Sequence, residues 1–115
     1  MNEEIKNKTK EFAQAILGSE EYKLFKSVSD ELEKNEDANN LLKEFQKKQM
    51  ELRSKGFDPS LMDELRELQT RINKSEIIQQ FANAQNELVD LLKRTNNIIS
   101  LRINMPFVST VRGGC

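Results

Sequence analysis

The chain predicts an all-α fold: a five-helix bundle with a long C-terminal helix and a short flexible tail. Three observations carry the prediction. Apolar residues recur at alternating steps of three and four, the spacing of one helix face. Only four glycines and two prolines occur in 115 residues, and three of those six fall in the last ten, so turn signals between short strands are scarce. The apolar fraction is 37% against 32% charged residues, low for a compact globule and ordinary for amphipathic helices with wide solvated faces. At this length the chain has room for one domain, placed at residues 1–104, with a tail at 105–115.

The first helix is expected from about Glu3 to Leu17, with Ile5, Phe12, Ala13, Ile16 and Leu17 on one face. Gly18 breaks it, and Ser19 followed by Glu20 and Glu21 has the chemistry of a cap and an acidic first turn. The second helix turns Tyr22, Phe25, Val28 and Leu32 inward until Asn35, which is again followed by acids, Glu36 and Asp37. The third carries Ala38, Leu41, Phe45, Lys48 and Leu52, and stops at Lys55-Gly56. Asp58-Pro59 opens the fourth as a cap followed by proline at the first helical position, and Leu61, Leu65, Leu68 and Ile72 form its face.

Ser75 and Glu76 start the last helix. Its spine, Ile77, Phe81, Ala84, Leu88, Leu91, Thr95, Ile98 and Arg102, is a heptad-like pattern, broadened by Ile78, Leu92 and Ile99. Roughly 28 residues at 1.5 Å each span about 40 Å, well beyond the other helices. Either the shorter helices stack along this stripe or a second subunit covers it. The apolar character persisting to the end of the helix favours the second subunit, a dimer or larger homo-oligomer. The candidate interface residues are Phe81, Leu88, Leu91, Leu92, Ile98 and Ile99. Beyond Asn104, the segment MPFVSTVRGGC cannot continue the helix and is expected to be mobile or docked on a partner.

The composition excludes several function classes. Histidine is absent, which removes Ser-His-Asp and Cys-His arrangements and HExxH zinc sites. The carboxylates at Glu31/Glu33, Glu36/Asp37 and Asp63/Glu64/Glu67 are interleaved with bases and read as solvated faces, so no catalytic residue is assigned. Net charge is −1, and Lys6/Lys8/Lys10 and Lys43/Lys47/Lys48 are small patches, so direct nucleic-acid binding is not expected. The polar N-terminus and the lack of any long apolar run predict a cytoplasmic protein without membrane insertion. The lone cysteine, Cys115, follows two glycines and Arg112. One thiolate cannot hold zinc or an iron–sulfur cluster, which need about four ligands, so the chain by itself is expected to carry no cofactor.

The segments SEEYKLF, ELEKNEDANNLLKEFQKKQMEL and LMDELRELQTRIN, followed by the long helix and a terminal cysteine, resemble the YlbF/YmcA family of small helical bacterial proteins. The recognisable part is an acidic-aromatic segment, then Asn35 to Ala38, then LLKEFQKKQ, in this order over nearly the whole chain. The resemblance implies a five-helix, non-catalytic protein in homo- or hetero-oligomers. It implies a complex with related helical proteins and a YaaT-like protein that directs ribonuclease Y in RNA processing, on which competence, biofilm formation and sporulation depend. It also implies that Cys115 could ligate an iron–sulfur cluster shared with partner subunits, since some members of that complex hold clusters through C-terminal cysteines. The leading expectation is therefore a regulatory adaptor. A redox or iron–sulfur module and a purely structural helical oligomer are the alternatives.

Overall fold

Four of the five helices begin where a side chain accepts from their free N–H groups. A computed structural model describes residues 1–108. In α1 (Glu3–Leu17) the Asn2 side chain accepts from the Ile5 N–H at 2.9 Å. In α2 (Glu20–Lys34) Ser19 Oγ accepts from the Tyr22 N–H at 3.1 Å. Asn35 alone joins α2 to α3 (Glu36–Lys55), and its side chain accepts from the Ala38 N–H at 2.9 Å. Gly56, at φ 80° and ψ −163°, ends α3 in a conformation open essentially to glycine. Asp58 caps α4 (Pro59–Lys74) by accepting from the Ser60 and Leu61 N–H groups at 3.0 and 3.3 Å. Ser75 alone joins α4 to α5 (Glu76–Ile103), without a side-chain cap hydrogen bond.

The two single-residue corners are built alike. Three residues before each corner and three after it lie the buried residues of the central cluster: Leu32 and Ala38 around Asn35, Ile72 and Ile78 around Ser75. Four residues after each corner an amide side chain reaches back to the carbonyl seven residues earlier. Asn39 Nδ2 donates to Leu32 O at 2.9 Å, and Gln79 Nε2 donates to Ile72 O at 3.3 Å. Asn39 Nδ2 also lies 2.9 Å from the carbonyls of Glu33 and Asn35, so its two hydrogens are shared among three acceptors at the end of α2. Each corner thus satisfies orphan carbonyls while turning the chain sharply enough to bury the flanking aliphatics.

Leu41, Leu42, Phe45, Ile77 and Phe81 pack around this cluster. α3 and α4 form an antiparallel hairpin, and α2 packs extensively on α5. Leu32 meets Ile78 near one end of that pair and Leu24 and Glu87 line the other, so α2 and α5 also run antiparallel. Ala84, 2% exposed beside Val28, lets these two backbones approach.

The molecule is elongated, 57 × 31 × 21 Å, with a radius of gyration of 19.0 Å against about 13 Å for a compact domain of this length. The reason is a mismatch in helix length. α5 has 28 residues and its main partner α2 has 15, so about 20 Å of α5 projects past α2. α1 lies loosely by this projection and contributes no buried residue. No described helix is long and apolar enough to cross a membrane.

Candidate interaction surface

The projecting end gathers apolar side chains that the rest of the fold does not cover. From α1 come Ile5, Phe12 and Leu17, and from the last turns of α5 come Leu92, Ile98, Leu101 and Ile103, all exposed. Exposures of about 40 to 80% over this many large side chains leave several hundred Å² of apolar surface in water, the order that one partner contributes to a standard interface of about 800 Å² per side. The largest apolar patch of a monomer is often functional.

A groove of about 440 Å³ runs through this end. Phe12 borders it from α1, Val89, Leu92 and Ile99 from α5, and Phe107 and Val108 from the segment after α5. That segment is turned back by Asn104, which adopts the left-handed conformation at φ 57° and ψ 37°. The Met105 N–H then donates to Ser100 O at 3.1 Å, a Schellman-type closure, and the Phe107 N–H donates to Ser100 Oγ at 2.9 Å. The first four residues of the expected tail are therefore folded onto α5. Asn96 also lines the groove, and its Oδ1 is buried without a hydrogen-bond partner among the described residues. Such a group typically costs about 1 to 3 kcal/mol, so the closed arrangement at this end is not an optimised core.

The candidate interface residues divide by position. Leu92 is 42% and Ile98 58% exposed, while Leu88, Leu91 and Ile99 are half-buried. Phe81 lies inside the fold: its ring is tilted on Phe25 with centroids 5.4 Å apart, and it packs against the central cluster. The heptad spacing alone could not separate a face turned to α2 from a face turned outward. Phe12, Phe107 and Val108 belong to the groove although sequence reasoning left them out of the interface. Their apolar character was the available signal, but only the path of the chain brings them beside α5. Cys115, the candidate cofactor and metal ligand, lies outside the described residues.

The electrostatics are those of solvated helices. Four of the five ion pairs among the described residues lie within one helix. The exception, Lys48 Nζ to Glu64 at 3.1 Å, ties α3 to α4, and the hydrogen bond and charge of Glu64 raise the Lys48 pKa above its ordinary value. Asp30 raises Lys26 in the same way within α2. A concavity of about 670 Å³ is an open polar cleft beside the two corners, lined by Glu31, Asp37, Glu76 and Arg71 among others. No group of three His, Cys, Asp or Glu side chains that could hold a metal ion occurs among the described residues.

Comparison with known proteins agrees with this architecture. A Bacillus subtilis RicA chain, solved in complex with RicF, is similar with a TM-score of 0.82 at 18% identity, over 90% of this chain and 96% of that one. At that identity the likeness shows the fold. Comparison with curated protein sequences gives no match. The family model described as "Control of competence regulator ComK, YlbF/YmcA" matches residues 5–104. With a match over that much of its length, the chain belongs to the YlbF/YmcA family of competence regulators.

Proposed function

We propose that this protein is a non-catalytic, cytoplasmic adaptor that assembles into homo- or hetero-oligomers through its projecting end and serves an RNA-processing complex. The observation that carries the reading is the uncovered apolar surface shared by α1, the C-terminal half of α5 and the folded-back residues Phe107 and Val108. Docking a second helical subunit there removes this surface from water and lets Asn96 find a donor after local rearrangement. The similar RicA chain was solved with RicF, which supports a related helical protein as the docked subunit. The family's link to competence control supports a regulatory role. By the family resemblance, the assembly includes a YaaT-like protein and acts on ribonuclease Y.

The test is affinity purification of the tagged full chain from its native cells, beside a Leu92→Glu/Ile98→Glu variant. The parent is expected to retain a helical partner and a nuclease-associated protein, and the variant to lose both. Recovery of neither by the parent, or equal recovery by both chains, would overturn the reading.

A further inference from the structure

A second surface lies on the α3–α4 hairpin, away from the projecting end. Between the two helices runs a groove of about 330 Å³ with Phe45, Leu52, Met62 and Leu65 along its floor. Arg53 stands over it from α3 and Arg66 from α4. Gln49 and Gln69 complete its lining, which contains no carboxylate. In a chain with a net charge of −1, a groove rimmed by two guanidinium groups and no acid departs from the average surface.

The groove lining itself carries two cations and no carboxylate. Asp63 and Glu64, the acids of the adjoining turn of α4, are engaged by Arg66 and Lys48. The Asp63–Arg66 contact is long, 3.4 Å, and both side chains are about three-quarters exposed, so it leaves most of the Arg66 donors available. Arg53 makes no ion pair among the described residues. At the hairpin turn, where the last turns of α3 and the first turn of α4 bring Leu52 and Met62 together, Phe57 stands 81% exposed. An apolar floor, basic rims and an exposed aromatic at one end describe a receptor for an amphipathic helix whose polar flanks are acidic.

We propose that the α3–α4 groove binds an acidic amphipathic helix of a partner protein, its apolar residues on Phe45, Leu52, Met62 and Leu65 and its carboxylates on Arg53 and Arg66. The inference does not rest on the projecting end. It gives the protein a second face, so that one end holds a fellow subunit while the hairpin holds a client.

The experiment is fluorescence anisotropy of the full chain with two labelled helical peptides. Both carry leucine at i, i+3, i+4 and i+7, flanked by glutamate in one peptide and by lysine in the other. The glutamate peptide is expected to bind with a dissociation constant on the order of tens of micromolar, weakening with added salt, and the lysine peptide about tenfold or more weaker. Arg53→Glu/Arg66→Glu, both at exposed positions, should invert that order while leaving the helical circular dichroism unchanged. Leu92→Glu/Ile98→Glu should bind the glutamate peptide as the parent does. Equal affinity for the two peptides, or an unchanged preference in the arginine variant, would overturn the proposal. Sedimentation of the parent with phosphatidylserine vesicles, without peptide binding, would assign the groove to a lipid surface and also overturn it. Self-association lost in the arginine variant and kept in Leu92→Glu/Ile98→Glu would assign the groove to a second copy and overturn the proposal likewise.

Discussion

Replacing Leu92 and Ile98 together with glutamate separates a docking face from an idle surface. In the single chain these residues are 42% and 58% exposed. That leaves about 80 and 100 Å² in water, and at about 25 cal/mol per Å² covering both stabilises a complex by about 4 to 5 kcal/mol. Losing that contribution raises the dissociation constant about a thousandfold or more, before any cost of placing carboxylates in an apolar contact. The isolated fold should change little, because both side chains already face water and glutamate is a good helix former. Sedimentation velocity over a micromolar concentration series reads the association, and guanidinium unfolding of the same samples reads the fold. The expected result is an associating parent and a monomeric variant with nearly the same unfolding midpoint. A variant that associates as tightly as the parent would refute the argument that this end is an interface. A parent that stays strictly monomeric at about tens of micromolar, with a sparsely covered α1, would refute self-association.

Four further outcomes follow from single features. Asn39→Ala strips the α2 C-terminus of a donor shared by three carbonyls and should cost about 1 to 2 kcal/mol in chemical denaturation. Asn96→Leu removes the unpartnered buried Oδ1 and should stabilise the isolated chain by about 1 kcal/mol in the same assay. The raised pKa of Lys48 means that its bond to Glu64 stabilises the fold fully below the unfolded lysine value and is lost as pH climbs through the higher folded one. Thermal melts of the parent should therefore fall towards those of Lys48→Met only above about pH 10.4. The chain purified anaerobically and diluted until it is monomeric should show no absorbance band at about 400 nm, because one thiolate cannot complete the four-ligand set of an iron–sulfur cluster. A band that appears with partner subunits and vanishes in Cys115→Ser would mark a shared cluster.

Helix boundaries were legible because they depend on local chemistry. Asn35, Asp58-Pro59 and Gly56 act within a few residues of themselves, and each stops or starts a helix as its type predicts. The long α5 and its incomplete cover were legible for a similar reason, since helix length sets reach. What periodicity cannot encode is the identity of the neighbour. Ala84 and Ile98 occupy equivalent heptad positions, yet one is buried beside Val28 and the other faces water, because α2 ends its overlap between them. The likeness of the two corners was hidden by residue type: Asn39 and Gln79 differ in length, and the caps Asn35 and Ser75 differ in chemistry. The α3–α4 groove was hidden because Arg53 and Arg66 belong to ordinary charged faces until the hairpin sets them across from each other.

The matching corners also bear on how the chain acquires its shape. Each joins two helices through one residue, so the residues flanking a corner meet after closing a loop of only a few positions, an event of well under a microsecond. Two such elbows can form independently, and neither alone completes the four-residue cluster of Leu32, Ala38, Ile72 and Ile78. The expected rate-limiting step is the collision of the two elbows, with the transition state shared between them. Truncating Leu32 or Ile72 should slow refolding by similar factors, whereas changes in α1, which joins no elbow, should act on unfolding alone.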